Sequence, residues 1–447
     1  MNKKPMTLTA KVLWGMGLGI VVGLIMNISG LNDPGSFVNE YITNGLFWLI
    51  GKLFISGLMM LVVPLVFFSL VTGVIGIGDI RSLGKVGGKS FGLYLFTTAV
   101  AITIAILFGV VSGIGGSAPM ASGAEFTAKE APSLAQVLLD IVPTNIINAM
   151  ALGKMLQVIF IAIILGIAIL MVGEKAKPVV ELFEIGNELM MKIVNIVMAV
   201  APYAVFALLA KAIADLGLDL LLDLGGYVIV LILALLTHLF VTQMVLLKIL
   251  SGMSPKIYLK KMKEVFVFAF STSSSNATIP ITLKAVTEKL GVKNSVASFS
   301  IPFGATINMD GTAIMQGVAT VFIANIYGVE LGLMGYLTVI LMALLASIGT
   351  AGVPSAGLVM LSMVFIQVGI PVEGIGLVLG VDRLLDMVRT SVNVSGDGVV
   401  SVIVAKSEGK LQEDVFNDMN LNMDEEITID RDTEKNIADM LEGFEKK

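Results

Sequence analysis

Val381-Asp-Arg-Leu-Leu-Asp-Met-Val-Arg-Thr-Ser-Val-Asn-Val-Ser-Gly-Asp397 is the stretch whose reading decides the fold. It sits inside an apolar segment, residues 374–405, and no other apolar segment of the chain carries so many ionisable groups. Wound as a helix at about 100° per residue, the stretch gathers Asp382, Asp386, Arg389, Thr390, Asn393 and Asp397 into an arc of roughly 100°. Leu384, Leu385, Val388, Val392 and Val399 take the remaining circumference. A charge in the bilayer interior costs at least ~2.5–3.5 kcal/mol, so such a face turns toward a bundle interior or a water-filled path. One reading is a set of internal salt bridges tying this helix to its neighbours. The other is a solute and ion site, favoured because an arginine beside a threonine and an asparagine suits a small anion.

Composition places that helix in a membrane. Hydrophobic residues make up 56% and charged residues 14% of the 447 positions, with mean hydropathy +0.93, far from the ~25% charged of soluble domains. The absence of cysteine excludes disulfides, thiol nucleophiles and thiolate metal sites, and a single histidine, His238, excludes a multi-histidine zinc site. His238 lies in the apolar run Leu-Leu-Thr-His-Leu-Phe and reads as a packed, hydrogen-bonded helix residue. Enzyme motifs fail. Gly88-Lys-Ser-Phe-Gly92 has no preceding strand and no histidine partner but His238, and Leu83–Ser90 lacks the first glycine of a phosphate loop.

Eight apolar segments are long enough to span a bilayer: 12–29, 45–78, 91–114, 145–172, 186–213, 224–250, 294–328 and 374–405. The first follows Lys3, Lys4 and Lys11 and reads as a span, not a cleavable leader. Segments 45–78 and 294–328 exceed the needed length and must tilt or break. Basic clusters at Lys3/Lys4/Lys11, Arg81/Lys85/Lys89, Lys175/Lys177, Lys248–Lys263 and Lys406/Lys410 alternate with loops 30–44, 115–144 and 214–223, which are poor in basic residues. That alternation puts both termini in the cytoplasm. The acidic tail from Asp414 to Lys447 reads as a solvated, partly disordered or amphipathic extension.

Two further segments are apolar arms around a polar break. Residues 258–290 contain Ser271-Thr-Ser-Ser-Ser-Asn-Ala-Thr-Ile-Pro280, and residues 336–371 contain Ser347-Ile-Gly-Thr-Ala-Gly-Val-Pro-Ser-Ala-Gly357. A kinked spanning helix is the plain alternative. Short arms around irregular backbone, tolerable at membrane depth only beside protein or a cavity, favour re-entrant helical hairpins. Each hairpin precedes a polar-interrupted segment, 294–328 with Asn308-Met-Asp-Gly-Thr312 and 374–405 with Arg389–Asp397, and one hairpin would enter from the cytoplasm and the other from outside, so the halves form an inverted repeat. Unwinding at Asn308–Thr312 would free carbonyls that, with Asp310, make hard oxygen ligands for an alkali cation. Ser273-Ser-Ser275 offers hydroxyls and half-helix N–H groups to a carboxylate.

These motifs resemble the glutamate/aspartate transporters, the dicarboxylate/amino acid:cation symporters. The likeness spans about residues 10–406 and is densest in Ser273–Pro280, Gly304–Thr312, Ser347–Gly357 and Asp386–Asp397. It implies an all-α polytopic membrane protein with eight transmembrane helices and two re-entrant hairpins, a homotrimer whose transport domain moves like an elevator. Residues 1–11 would be cytoplasmic, and 12–250 six helices, mostly scaffold, with 91–114 and part of 224–250 in the transport domain. Residues 258–406 would be the transport core and 407–447 a cytoplasmic tail.

Carried over by motif, the resemblance implies substrate contacts at Ser273 (backbone), Ser275, Thr312, Val353, Gly357, Asp386, Arg389, Thr390 and Asn393. Arg389 would grip a side-chain carboxylate with two parallel hydrogen bonds, Asp386 and Thr390 would receive an ammonium, and Asn393 with hairpin donors would hold the α-carboxylate. For sodium it implies Asp397 with backbone of Gly304, Asn308 and Asn393. A second site would use backbone of Thr306, Ser347, Ile348 and Thr350, and a third Tyr94, Thr97, Thr98, Asn308 and Asp310. Gln316 stands where potassium- and proton-coupled animal relatives carry glutamate. Met387 and Ser273 stand where relatives place a second arginine, Asn276 replaces a common serine, and Val388 a common small residue. The expectation is a sodium-coupled symporter of acidic amino acids in the cytoplasmic membrane. Relatives moving C4-dicarboxylates, cystine or neutral amino acids, or driven by protons, are the alternatives, and a channel or membrane-embedded enzyme is a reading from another class.

Overall fold

The computed structural model describes residues 8–76, 80–116, 142–350, 352 and 356–419. Among these, the chain is all-helical apart from one isolated antiparallel bridge, Val292 to Leu411. In order come α1 (Leu8–Ile28), α2 (Trp48–Gly76) entered through a π-helical turn Val38–Phe47, and α3 (Ile80–Ser112). Then follow α4 (Ile146–Ala151), α5 (Met155–Val172), α6 (Lys177–Ala199), α7 (Ala201–Leu216), α8 (Leu218–Thr237) and α9 (Gln243–Ser251). The last part holds α10 (Pro255–Lys261), α11 (Lys263–Thr272), α12 (Ser275–Lys284), α13 (Asn294–Ile307) and α14 (Asp310–Ile326). It closes with α15 (Gly332–Gly349), α16 (Ala356–Val368), α17 (Ile375–Ser407) and α18 (Glu413–Asn417).

Among the described residues, five stretches are long and apolar enough to cross a membrane: Ala10–Ile28, Val38–Ile75, Lys85–Ser112, Gln157–Ala199 and Leu218–Ser251. Their outer faces stay apolar and exposed, with Trp14, Ile28, Leu53, Met171, Leu222 and Ile249 uncovered, as a lipid-facing surface requires. The expected segment 186–213 is not one helix. It breaks at Val200 into α6 and α7, because Pro202 in the first turn of α7 has no N–H to continue α6 and suits a helix start. Segment 145–172 likewise divides into α4 and α5. Segment 45–78 runs on without a break as far as Gly76, where the described residues pause, and the expected loop 30–44 is partly helical, Val38 onward. Of the loop 115–144, most lies outside the described residues, and 214–223 is helix on both sides of Gly217, whose φ of 69° ends α7.

Helix α17 is the axis of the molecule. It is buried along nearly its whole length and packs against α3, α7, α8, α9, α11, α13 and α14. It runs without interruption, so its polar motif marks no break; segment 294–328 does break, at Asn308 and Met309, between α13 and α14. The two arm–break–arm segments appear as α11/α12 and α15/α16, each pair packed arm on arm. Ser273 ends α11 at φ 51°, the left-handed region, and Ser274 caps α12 by accepting from the Ala277 N–H at 3.2 Å.

The start of the acidic tail is amphipathic: Asp414, Asn417 and Asp418 are exposed while Phe416 turns inward. Phe416 is fully buried, and Gln412 N–H donates to Gly291 O at 2.8 Å. The buried Lys261 ammonium donates to the carbonyls of Lys289, Val415 and Phe416 at 2.8, 2.6 and 2.8 Å, tying α18 to α10. Nearby, Lys89 pairs with Glu408 at 2.5 Å and holds its carboxyl below the usual carboxylate range. Residues 420–447 of the tail lie outside the described residues. Lys261→Met should strand those three carbonyls and lower stability by about 1–3 kcal/mol. Thermal unfolding in detergent reads that loss; an unchanged melting temperature would mean the lysine cage contributes nothing.

Candidate substrate and cation site

The site forms where α17 meets the breaks of its neighbours. Positions 386, 390 and 393 are spaced i, i+4, i+7 and so share one face of α17. Asp386, Thr390 and Asn393 line a closed cleft of only ≈ 10 Å³ with Ser273, Ser275, Met309, Thr312, Thr350, Gly352 and Gly357. Seven of the expected substrate residues are thus brought together, among them Ser273, Ser275, Thr312 and Gly357. Val353 lies outside the described residues. The breaks of the two arm pairs close over the cleft: Asn276 N–H and Ser274 Oγ both donate to Gly352 O, at 3.1 and 2.7 Å.

Arg389 does not line the cleft; it lies fully buried beside it. Its Nη1 donates to Asp382 Oδ1 at 2.5 Å and its Nη2 to Asp386 Oδ1 at 2.8 Å. The guanidinium therefore folds back along its own helix, to i−7 and i−3, and the ion pairs join residues of α17 to each other, not to a neighbour. Arg389 Nε and Asp382 Oδ2 have no hydrogen-bond partner among the described residues. Asp386 is shared: one oxygen serves Arg389 while its side chain lines the cleft. At the same level Gly311 faces the Arg389 backbone so closely that a Cβ would stand 2.5 Å from the Arg389 carbonyl oxygen.

Beneath the cleft is a connected oxygen-rich cluster. Asn393 Oδ1 accepts from Gly311 N–H at 2.7 Å, while its carbonyl accepts from Asn308 Nδ2 at 3.2 Å. Asn308 Nδ2 also donates to Asp397 Oδ1 at 2.9 Å, and Asn308 Oδ1 is buried with no partner among the described residues. Such an orphaned oxygen beside a carboxylate suits a hard cation. Thr98 Oγ1 donates to Asp310 Oδ1 at 2.6 Å, with Thr97 Oγ1 3.5 Å from the same oxygen. Tyr94 donates to Ser300 O at 2.9 Å. Gly304 admits both neighbours: a Cβ there would lie 2.4 Å from Asp397 Oδ1 and 2.7 Å from the Tyr94 hydroxyl. The remaining expected group is Thr306, Ser347, Ile348 and Thr350, on α13 and on α15 with the residue that follows it. A Cβ on Gly73 would touch the Thr306 methyl at 3.6 Å and the Ile348 carbonyl oxygen at 3.8 Å, so both border the same glycine.

Residues 8–407 match the description of the sodium:dicarboxylate symporter family. This chain belongs to that family. It is 33% identical over 410 residues to the proton/sodium-glutamate symport protein of Bacillus caldotenax, covering 90% of this chain and 95% of the relative. It is 32% identical over 416 residues to the proton/glutamate-aspartate symporter of Escherichia coli, covering 90% and 93%. Over 421 residues it is 32% identical to a C4-dicarboxylate transport protein of Bacillus subtilis, covering 91% and 94%. The symporter is a secondary transporter and not an enzyme.

Four residues of this symporter's site carry no role in the sequence reading. Met309 lines the cleft and its Sδ accepts from Asn393 Nδ2 at 3.3 Å; its place inside Asn308–Thr312 was the available signal. Gly352 joins the two breaks through its carbonyl, which no side-chain pattern reveals. Asp382 sits on the polar arc, yet only the fold-back of Arg389 shows its part. His238 is buried and hydrogen-bonded as expected, but its partner is Asp310, 3.0 Å away. Gly304→Ala should abolish substrate uptake while the protein still inserts, because the Asp397 carboxylate and the Tyr94 hydroxyl would have to shift off their hydrogen-bond partners, Asn308 and the Ser300 carbonyl. Uptake into proteoliposomes at matched protein content checks this, and near-normal transport would show that the cluster is slack.

Proposed function

We propose that this symporter carries aspartate and glutamate across the cytoplasmic membrane, driven by sodium. The observation that carries the proposal is the position of Asn393, whose side chain lines the substrate cleft while its carbonyl is bonded to Asn308 of the oxygen cluster. Among the described residues neither Asp310 nor Asp397 forms an ion pair with lysine or arginine. Each thus invites a cation, and sodium supplies one without a permanent partner. Sodium would bind at Asp397 with Gly304, Asn308 and Asn393, at Asp310 with Tyr94, Thr97 and Thr98, and at Thr306, Ser347, Ile348 and Thr350.

An acidic amino acid matches the charges of α17. Asp382 and Asp386 are met by Arg389 at 2.5 and 2.8 Å and, more loosely, by Arg383, 3.9 Å from Asp386 Oδ2. A substrate side-chain carboxylate would take guanidinium hydrogen bonds from Arg389, while the substrate ammonium would replace Arg389 as the partner of Asp386. Thr390 would join Asp386 at the ammonium, and Asn393 with the Ser273–Ser275 break would hold the α-carboxylate. A C4-dicarboxylate is the second reading, favoured by the relatives of that name at similar identity. It has no ammonium to offset Asp386, so it would meet that carboxylate as a like charge.

The wider architecture is part of the same proposal: α11/α12 and α15/α16 as re-entrant hairpins in inverted repeats, both termini cytoplasmic, and a homotrimer. Residues 258–406, with helix 91–114 and part of 224–250, would move as an elevator against a scaffold made from the rest of 12–250. A cavity of ≈ 330 Å³ supports such an access route. It lies between Ser69, Thr72 and Asn187 of the early helices and Asn276, Thr306 and Gly352 beside the cleft.

Uptake of radiolabelled aspartate, glutamate, succinate and alanine into proteoliposomes, under sodium or proton gradients, tests the proposal. Sodium-driven uptake of the first two is expected. Arg389→Ala should weaken their binding ten- to a hundredfold, since hydrogen bonds to a charged group contribute about 1.5–3 kcal/mol. Succinate as the preferred solute, or uptake driven only by protons, would replace this reading with the corresponding relative's.

A further inference from the structure

The chain's single histidine stands against the cation cluster. His238 is fully buried and opens a π-helical turn, His238–Thr242, between α8 and α9. Such a turn inserts one residue into the helical register, re-aims the side chains around it and is frequent at functional sites. Here the turn makes contact at its two ends. His238 Nε2 lies 3.0 Å from Asp310 Oδ2, and Gln243, the residue after the turn, donates from Nε2 to the Val392 carbonyl at 3.1 Å. The turn therefore grips the first residue of α14 and the backbone of α17 beside Asn393.

The two oxygens of Asp310 are divided between two sides. Oδ1 faces Thr98 and Thr97, and Oδ2 faces His238. A carboxylate that keeps its charge for a cation only accepts hydrogen bonds, so the imidazole presents Nε2–H to it. A neutral donor lowers the cost of burying the carboxylate without cancelling its charge. A lysine or arginine at the same place would cancel it and leave nothing for a cation to do.

We infer that His238 is a positioning residue for the cation site at Asp310: its Nε2–H fixes Oδ2 so that Oδ1, with Thr97 and Thr98, faces the ion. This rests on the sodium reading above. Loss of the donor leaves Asp310 free to turn, and the ion then has to order the carboxylate as it binds. Because Asp310 opens α14, which carries Gly311 and Thr312, disorder there reaches the substrate cleft.

The test uses the purified full chain in detergent, with calorimetric titration of L-aspartate and L-glutamate at a series of sodium concentrations, on wild type and three variants. His238→Gln keeps an N–H donor at about the reach of Nε2. His238→Asn places its donor near the Nδ1 position, too short for Asp310, and His238→Leu has none. The expected result is a half-saturating sodium concentration raised about tenfold or more in the Asn and Leu variants and close to wild type in the Gln variant. Melting temperature in sodium-free choline buffer reports any purely structural loss, which would lower stability in all media without moving the sodium midpoint. An unmoved midpoint in His238→Leu, or a Gln variant no better than Leu, overturns the inference while the sodium reading stands. Wild-type aspartate affinity that ignores sodium overturns the sodium reading itself, and this inference with it.

Discussion

The structure depends on one electrostatic constraint: four aspartates are buried around α17 and α14, and one arginine is buried with them. Asp310, Asp382, Asp386, Asp397 and Arg389 are all withdrawn from solvent. Buried ions are tolerated only when paired and hydrogen-bonded, and removing one partner leaves the other at a cost of several kcal/mol. Arg389 serves Asp382 and Asp386. The other two carboxylates receive hydrogen bonds from Asn308, Thr98 and His238. Each of the four thus has at least one hydrogen-bond donor, although Asp382 Oδ2 has no partner among the described residues, and the buried arginine balances the charge of one.

The packing follows from that arrangement. Helices α14 and α17 meet backbone to backbone at Gly311, where any side chain would collide with the Arg389 carbonyl. That closeness lets Asn393 reach a backbone N–H at the start of α14. The first turn of a helix leaves N–H groups without intrahelical partners, so the break between α13 and α14 supplies the donor as well as oxygens of the cluster. Outside this polar centre the helices are apolar toward each other and toward the membrane, which gives the charges a low-dielectric setting in which they act strongly.

Much of the site is legible in the sequence because it lies on one helix. The polar arc of Asp382–Asp397 follows from helical spacing alone, and α17 presents it as spacing requires. The break at Asn308–Met309 and the one at Ser273–Ser274 were marked by polar runs inside apolar segments. The division at Val200 was not read, although Pro202 marks it, because the flanking residues are apolar without interruption. The fold-back of Arg389 depends on rotamers and on which side of α17 its neighbours occupy, which spacing does not encode. His238 and Asp310 lie 72 residues apart, and their contact needs a π turn that no local composition announces. The docking of Phe416 is illegible for a similar reason: an acidic tail gives no sign that three carbonyls wait on a buried lysine.

On the proposed reading, coupling between ion and solute does not require a long pathway. Before anything binds, the four carboxylates of the centre outnumber the two guanidiniums near them, Arg389 and Arg383, so an acidic solute approaches a negatively charged cleft. A cation at Asp397 or Asp310 removes part of that repulsion in a setting where screening by water is weak. It also fixes Asn308, and through the Asn308–Asn393 hydrogen bond the residue whose side chain lines the cleft. Both effects have the same sign, since each lowers the free energy of the solute-bound state more than that of the empty one. Linkage then makes the effect mutual: whatever factor the ion adds to solute affinity, the solute adds to ion affinity. Partial occupancy is disfavoured from either direction, so the two bind together, as a symporter requires. The condition is that negative charge stays in excess at the centre. A chain with a further arginine at position 387 or 273 would relax that condition, and this one, with Met387 and Ser273 there, keeps it.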